Sequence, residues 1–351
     1  MYYFRSDLRA KKPVNVDVPH KRIMLCLNES TLDPFIAVKN DFFNLMKDVK
    51  LNRYYSWITK SLLNELADYA QVEKDMLIMG NGADELLYYL FSAINDVQAF
   101  AVTLTPSYFD YLSYCNAVGL KLKMLPLDSD FSFSTPKLLD LANDINCKMI
   151  ILCNPNNPTA NLLPPSQIEE ILLKNKDRLV LIDETYYEFS QVTWRHKLSQ
   201  YPNLIIIRTF SKAFSAAGLR FGYMMANADL IYQIKKVVTA FNISIMTQTM
   251  AYAILKNKSL FLEHNNIVIS ERNRVASALK QLPQISVFHS ATNFLLFRYN
   301  KSVDLFSSLL TNEIAVRDVG NTKILKNCLR VTQGSVQENN MFIKIVKEFL
   351  K

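Results

Sequence analysis

Short, nearly continuous apolar runs alternate with helix-length amphipathic segments along this chain, and this alternation is what most constrains its fold. The runs are QAFAVTL (98–104), CKMIILC (147–153), RLVLID (178–183) and NLIIIRT (203–209). Such runs are typical of strands that helices cover on both faces. Residues 165–175, PSQIEEILLKN, begin with proline and serine and have helical apolar spacing, which indicates a crossover helix. The pattern predicts an α/β fold with a doubly wound, mostly parallel sheet.

The pattern changes near residue 257, where a long amphipathic segment precedes the strand-like stretch SVFHSATNFLLFRY and a closing helix. We therefore predict a large domain over residues 29–256. A smaller α+β domain is expected over residues 257–351, completed by the N-terminal residues 1–28. A chain of 351 residues is long enough for two such domains.

Composition narrows the function classes. The chain is 50% hydrophobic and 21% charged, as in soluble globular proteins. Its net charge of +8 comes from scattered basic residues, so we expect weak attraction for anionic substrates and no nucleic-acid partner. The five cysteines form no CxxC motif and the four histidines have no ligand spacing, so neither disulfides nor a metal site is expected. No stretch is long enough to span a membrane, and a cytoplasmic location is predicted.

Glycine is rare, with seven residues in the chain, and two of them share the motif MGNGADE ahead of an apolar helical stretch. Glycines at such a loop let backbone N–H groups and the positive end of a helix face a ligand, which suits a phosphate. An ordinary helix start with acidic first-turn residues explains the motif equally well.

Polar residues also follow the apolar runs. CNPNNPTA follows the run 147–153, and VLIDETYYEF ends another run with Asp183, then Tyr186. Open α/β sheets bind ligands at these strand ends. A buried carboxylate needs a cationic partner or strong hydrogen bonds. A plain Asn/Pro turn and a helix-capping aspartate are the alternatives.

Lys212 follows the run 203–209 in the motif TFSKAFSAAGLRFGY. A lysine in a desolvated pocket near other cations has a lowered pKa and can form a Schiff base with an aldehyde. The other groups then fit pyridoxal 5'-phosphate. Asp183 suits its pyridine nitrogen, an asparagine and a tyrosine suit its ring oxygen, and the glycine loop with Ser211 and Arg220 suits its phosphate.

With these residues, the chain resembles the fold-type I pyridoxal-phosphate-dependent aminotransferases. Within that group it is most similar to the histidinol-phosphate aminotransferase branch of class II. The resemblance runs from about Arg53 to Gly334. It rests on the motifs GNGADELL, PSYFDY, LCNPNNPTA, IDETYYEF, RTFSKAFSAAGLRFGY, NFLLF, VRD and LRVTQGS.

The resemblance implies the cofactor contacts. Lys212 is expected to bond the cofactor and carry a proton, and Asp183 to pair with the pyridinium nitrogen. Asn157 and Tyr186 are expected to hold the ring's phenolic oxygen, with Tyr108 stacked on the ring.

The same resemblance implies a phosphate cradle formed by Ala83, Asp84, Ser211 and Arg220. It also implies a homodimer with shared active sites, in which Tyr54 reaches the cofactor phosphate of the other subunit.

On the substrate side, the resemblance implies that Arg330 binds an α-carboxylate, which suits a planar guanidinium. Asn157 and the retained Asn28 are expected near the substrate. Arg317, after an apolar run, is a candidate for a substrate phosphate. The alternative for Arg317 is a salt bridge with Asp318 or another carboxylate.

Three departures from the family pattern bear on the substrate. Val14 stands where the family has a tyrosine that contacts substrate phosphate. The segment LNESTLDP lacks the family's aromatic residue and glycine, and Ala160 replaces a glycine.

The sequence therefore predicts an aminotransferase that moves an amino group between a phosphorylated amine or amino acid and a 2-oxo acid such as 2-oxoglutarate. A pyridoxal-phosphate-dependent decarboxylase of threonine phosphate or serine phosphate is the alternative within enzymes. A non-catalytic sensor of amino compounds is a third hypothesis, which the intact Lys212 disfavours.

Overall fold

The computed structural model describes residues 3, 5–8, 18–54, 56–300 and 304–350. Its strands, numbered in chain order, are β1 (Ile23–Met24), β2 (Leu77–Gly80), β3 (Phe100–Thr105), β4 (Lys121–Pro126), β5 (Cys147–Cys153), β6 (Leu179–Asp183), β7 (Leu204–Thr209), β8 (Gly222–Ala226), β9 (Ile285–Val287), β10 (Phe294–Tyr299), β11 (Ile314–Ala315), β12 (Arg317–Asp318) and β13 (Cys328–Thr332).

The helices, numbered in the same way, are α1 (Pro34–Met46), α2 (Trp57–Ala70), α3 (Gly82–Ile94), α4 (Asp110–Val118), α5 (Thr135–Ala142), α6 (Pro165–Lys174), α7 (Tyr187–Ser190), α8 (Ala228–Lys235), α9 (Ile245–Lys256), α10 (Lys258–Lys280), α11 (Leu305–Thr311) and α12 (Val336–Leu350). In the part of the chain that the structure describes, no helix combines the length and apolarity needed to cross a bilayer.

A seven-stranded sheet in the order β2-β8-β7-β6-β5-β3-β4 forms the centre of the molecule. The strands from β7 to β4 run parallel, and β8 is antiparallel to both of its neighbours. This arrangement confirms the predicted α/β fold with a mostly parallel sheet. The four apolar runs correspond to β3, β5, β6 and β7, and residues 165–174 form the predicted crossover helix.

Helices cover both faces of this sheet, which explains why its strands are apolar throughout. On one face, Ile150 and Leu152 of β5 belong to a core that includes residues of α2, α5, α6 and α9. On the other face, Met149 and Ile151 of the same strand pack in a core with residues of α3, α4 and α8. Successive side chains point to opposite faces, so both sets must be apolar.

A buried ion pair connects the carboxyl ends of β6 and β7. Both Nε and Nη2 of Arg208 donate to Oε2 of Glu184, at 3.0 and 2.7 Å. The backbone N–H of Trp194 donates to the other carboxylate oxygen at 2.6 Å, and the guanidinium lies 3.6 Å from the centre of the Tyr187 ring. Both charged side chains are almost fully buried, so the pair depends on these additional contacts.

The C-terminal region has its own antiparallel sheet, in the order β12-β13-β10-β9, while β1 pairs with β11. Its core includes residues of α10, α11 and α12 together with Leu25 from the N-terminal segment. The association of Leu25 with this core is in keeping with the predicted smaller domain. The proposed boundaries at residues 28 and 257 stay predictions.

Candidate active site

Three neighbouring parallel strands bring the predicted site residues to one edge of the central sheet. β5, β6 and β7 lie side by side, and their carboxyl ends lead to Asn157, Asp183 and Lys212. All three residues line a cavity of about 580 Å³, and Arg330 of the C-terminal sheet lines its opposite side. The cavity therefore lies between the central sheet and the smaller sheet, as expected for ligand sites of open α/β folds.

The amine of Lys212 lies inside this cavity and is only lightly anchored. Its Nζ donates a hydrogen bond to the backbone carbonyl of Leu27 at 2.9 Å. Desolvation, followed by the nearby charge of Arg330, lowers the pKa of Lys212 to about 8, against an opposing effect of Glu29. The amine is therefore a better nucleophile near neutral pH than an exposed lysine.

Asp183 is a buried carboxylate that is held by hydrogen bonds alone. It accepts hydrogen bonds from the Tyr111 hydroxyl at 2.6 Å and from the Thr185 backbone N–H at 3.0 Å. Burial raises its pKa, and no lysine, arginine or histidine within the described ranges pairs with it. A cationic group that entered the cavity would remove this desolvation cost, and the protonated ring nitrogen of pyridoxal phosphate is such a group.

The residues predicted to form a phosphate cradle lie around the first turn of α3. Asn81 precedes the helix without a side-chain capping bond, so its side chain leaves the first amides of α3 uncapped. Arg220 forms an ion pair with Asp84 beside this turn, and its Nη1 donates to Oγ of Ser211 at 3.4 Å. Ala83 completes the turn, so all four predicted cradle residues lie together and line the cavity.

Two glycines make this cradle possible. Gly82 has a φ of +84°, and a Cβ there would lie 2.7 Å from Nη2 of Arg220. A Cβ at Gly222 would lie 2.5 Å from the backbone nitrogen of Ala83, so only glycine lets β8 approach the start of α3. The shape of the cradle is therefore suited to an anion that approaches bare backbone.

Hydrogen bonds connect the residues that are expected to hold the ring oxygen and the substrate carboxylate. Arg330 donates from Nη1 to Oδ1 of Asn157 at 2.7 Å and from Nη2 to the Cys26 carbonyl at 2.6 Å. Its Nε is buried without a partner. Nδ2 of Asn28 donates to the Tyr186 hydroxyl at 2.8 Å. Asn28 thus contacts a predicted cofactor residue, and it also lines the cavity.

Arg317 stands directly opposite Arg330 in the antiparallel β12–β13 pair, which places both side chains on one face. Arg317 is half-buried and lines the cavity. The salt bridge that the sequence left open for Arg317, with Asp318 or another carboxylate, is not formed within residues 18–54, 56–300 and 304–350. Both cations are therefore available to an anionic ligand.

Tyr108 is half-buried in the cavity, where its hydroxyl donates to Oδ1 of Asp84 at 3.3 Å. Tyr54 lies outside the cavity lining. It is 78% exposed, and its ring stacks on the exposed Phe241 with the ring centres 5.0 Å apart. Tyr54 therefore does not line the cavity of its own chain, and its predicted contact with a cofactor phosphate stays a prediction about a second subunit.

Of the three departures, Val14 lies outside the residues that the structure describes. Ala160 has a left-handed φ of +65°, which accounts for the glycine of the family pattern at this position. The segment LNESTLDP contains Leu27 and Asn28, whose contacts with Lys212 and Tyr186 are made without the missing aromatic residue.

Some site contacts were not foreseen from the sequence. Tyr111 donates to Asp183, yet in the sequence it is one apolar residue of a helix, and only its presence in PSYFDY gave a signal. The Leu27 carbonyl that holds Lys212 is a backbone group with no sequence signal. Asp110 also lines the cavity and belongs to the same motif as Tyr111.

Comparison with known proteins supplies independent evidence. The family model for aminotransferase class I and II matches residues 20–346. The chain is 32% identical to the histidinol-phosphate aminotransferase of Clostridium novyi, over 98% of this chain and 96% of that protein. The corresponding protein of Pyrococcus furiosus is 32% identical over 94% of this chain and 93% of its own length.

Solved structures agree on the fold. Histidinol-phosphate aminotransferase from Sinorhizobium meliloti in complex with pyridoxal-5'-phosphate has a TM-score of 0.87 at 21% identity and covers 99% of both chains. L-threonine-O-3-phosphate decarboxylase from Porphyromonas gingivalis has a TM-score of 0.79 at 23% identity, covering 93% of this chain and 99% of that one.

The cradle geometry generates a first prediction. Gly222→Ala should weaken binding of pyridoxal phosphate by at least about tenfold, because the new methyl group forces the start of α3 away from β8. Gly218→Ala is the matched control, since a Cβ there meets nothing within 4 Å. Titration of the cofactor-free proteins measures both affinities. Equal affinities for the two variants would rule out the close approach as a requirement for binding.

The lowered pKa of Lys212 generates a second prediction. Only the neutral amine attacks an aldehyde, so the rate at which cofactor-free protein binds pyridoxal phosphate covalently should rise with pH and level off above about 8, rather than near 10.5. Arg330→Gln should move this midpoint upward, because the charge of Arg330 lowers the pKa. Stopped-flow absorbance over a pH series measures the midpoint, and a midpoint near 10.5 in the unmodified protein would contradict the site described.

Proposed function

Since this chain belongs to the class I and II aminotransferases, as a pyridoxal-phosphate-dependent enzyme of the histidinol-phosphate aminotransferase type, we propose that it moves an amino group between a phosphorylated amine and 2-oxoglutarate. Histidinol phosphate is the amine we favour. The curated relatives that are about 32% identical over nearly the whole chain support this choice. The non-catalytic sensor hypothesis has no support in these comparisons.

The described residues fit the cofactor, and each has a proposed task. Bound pyridoxal phosphate supplies an electron-withdrawing ring that weakens the bonds at the substrate's Cα. Asp183 keeps the ring nitrogen protonated, while Asn157 and Tyr186 hold the ring oxygen. The first turn of α3, with Ser211 and Arg220, binds the phosphate, and Tyr108 packs on the ring.

Lys212 has two proposed tasks in this site. Its amine would hold the cofactor through the aldehyde group. With substrate bound, Nζ would take the proton from the substrate's Cα as a general base. Burial keeps this amine partly neutral near pH 8, which is the state that both tasks need. The Leu27 carbonyl, at 2.9 Å, keeps Nζ inside the cavity.

The pair of arginines on one face of the β12–β13 ladder is the single observation that carries the choice of 2-oxoglutarate and glutamate. Arg330 and Arg317 stand opposite each other, and neither is neutralised by a described carboxylate. Arg330 binds the α-carboxylate of glutamate, and Arg317 binds its second carboxylate. With histidinol phosphate, which has no carboxylate, Arg317 binds the phosphate.

Decarboxylation of a phospho-amino acid is the second candidate, and the structural similarity to L-threonine-O-3-phosphate decarboxylase is the observation that favours it. The two reactions differ in which bond of Cα stands perpendicular to the cofactor ring. Arg330 is fixed by Asn157 and the Cys26 carbonyl, so a carboxylate bound to it is held in place. In our proposal this leaves the Cα–H bond facing Lys212.

We further propose that the enzyme is a homodimer with two shared active sites. The exposed Tyr54–Phe241 stack lies outside the cavity, where a second copy can cover it and receive the tyrosine hydroxyl at its cofactor phosphate. Two-fold dimers are the commonest oligomers of soluble proteins.

A mixing experiment tests the shared sites. Chains with Tyr54→Phe are co-expressed with chains carrying Lys212→Ala, and doubly tagged heterodimers are purified. If Tyr54 acts across the interface, each heterodimer has one undamaged site and should show about half the activity of the unmodified dimer. The activity of the heterodimer per intact Lys212 is then compared with that of the Tyr54→Phe homodimer. If the heterodimer is no more active, Tyr54 acts within its own chain.

A single-turnover experiment tests the reaction. L-glutamate alone should convert the bound cofactor to its pyridoxamine form and release 2-oxoglutarate. Arg330→Ala should raise the glutamate concentration required by at least about tenfold, because a charge-assisted hydrogen-bond pair is lost. The same mixture with phosphoserine or phosphothreonine is monitored for carbon dioxide. Carbon dioxide release without pyridoxamine formation from glutamate would favour the decarboxylase instead.

A further inference from the structure

Two acidic side chains of the cavity lining, Asp110 and Asp318, have no task in the proposed mechanism. Asp110 is the first residue of α4, is half-buried and lines the cavity together with Arg317. It lies in the same motif as Tyr108, which we assign to the cofactor ring. Asp110 is thus next to the cofactor position without belonging to the cofactor cradle.

The carboxylate of Asp110 has no cationic partner. No described lysine or arginine lies within ion-pair distance of it, and the polar side chains of Tyr108 and Ser113 lie close enough to it to lower its pKa. Of the other acidic residues of the cavity, Asp84 pairs with Arg220, Asp183 accepts hydrogen bonds from Tyr111 and Thr185, and Asp318 accepts one from a backbone N–H at 2.8 Å. Burial raises the pKa of Asp110, so the protein carries a desolvation cost there.

The surroundings of Asp110 have the character of a binding compartment. Leu112, Leu122 and Met124 contribute apolar side chains to the lining of the same cavity, and Met124 and Leu112 are partly exposed. Arg317 lines the same cavity, and its positive charge is close enough to lower the pKa of Asp110. A partly apolar cavity lining with a carboxylate that has no cationic partner suits a flat group that carries an N–H donor.

We propose that Asp110 is a specificity-determining residue that accepts a hydrogen bond from an N–H group at the far end of the amino donor. This inference rests on the proposed function and extends it to the part of the substrate that does not react. The donor presents its amine to Lys212, its anionic group to Arg317 and a nitrogen-containing ring to Asp110. Imidazole has this chemistry, whereas phosphoserine and phosphothreonine have no group that Asp110 can bind.

The arrangement also separates the donor from glutamate. Glutamate has no N–H group beyond its reacting amine, and its two carboxylates are attracted to the two arginines. A carboxylate near Asp110 would be repelled, so the second carboxylate of glutamate is directed toward Arg317. The same cavity can therefore bind two differently charged substrates in turn, each through a different set of side chains.

The test compares two ligands that differ only in the ring. The phosphate esters of 3-(imidazol-4-yl)propanol and 3-phenylpropanol lack the amine, so they bind to the holoenzyme without reacting. Calorimetry should show that the imidazole compound binds at least about tenfold more tightly, since a hydrogen bond to a charged acceptor is involved. Asp110→Ala should reduce this ratio to near one, and Asp110→Asn should retain part of it. A general packing defect would weaken both ligands and leave the ratio unchanged.

Turnover supplies the second readout. The ratio of kcat/KM for histidinol phosphate to that for phenylalaninol phosphate should fall by the same factor in Asp110→Ala. Asp140→Asn, an exposed aspartate of α5 outside the cavity, is the matched control and should leave the ratio unchanged. Equal affinities of the two esters for the unmodified enzyme would overturn the role of Asp110. Failure of glutamate to transfer its amino group would instead count against the proposed function, and the ester affinities would still decide the role of Asp110.

Discussion

The parallel alignment of β5, β6 and β7 is the constraint on which the site depends. Because their carboxyl ends lie at one edge of the sheet, the segments after them bring Asn157, Asp183 and Lys212 into one cavity. Inside the core, the Glu184–Arg208 ion pair connects the carboxyl ends of β6 and β7. An error in strand order or register would separate the carboxylate from the amine, so the chemistry depends directly on the sheet.

Contacts within the protein orient the polar groups of the site. Arg330 is oriented by Asn157 and by the Cys26 carbonyl, Asn28 holds the Tyr186 hydroxyl, and Tyr111 holds Asp183. These contacts keep the polar groups aimed at the cavity, so little reorganisation is needed when a substrate binds. Groups that a ligand would pair with carry unpaired charge or a perturbed pKa, as Asp183, Lys212 and Asp110 do.

Sequence reasoning predicted the fold well because its signals are local. Continuous apolar runs specify strands covered on both faces, and residues 147–153 form β5 with the expected bounds. The glycine motif placed the start of α3, because a Cβ at Gly80 would meet the Leu86 side chain and one at Gly82 would meet the Arg220 side chain. The roles of the individual site residues stay predictions, although the structure brings most of them together. Contacts such as Asn28 with Tyr186 join residues 158 positions apart, and no local pattern encodes such a pairing. Asp110 was missed because one aspartate in a motif gives no sign that it lacks a partner.

The proposed chemistry requires above all that Lys212 is the residue that holds the cofactor. Borohydride reduction of the purified holoenzyme makes the bond between lysine and cofactor permanent, and peptide mass mapping then locates it. This assignment predicts a single modified peptide that contains Lys212, in the motif TFSKAFSAAGLRFGY. A reduced adduct on any other lysine, with Lys212 unmodified, would contradict it.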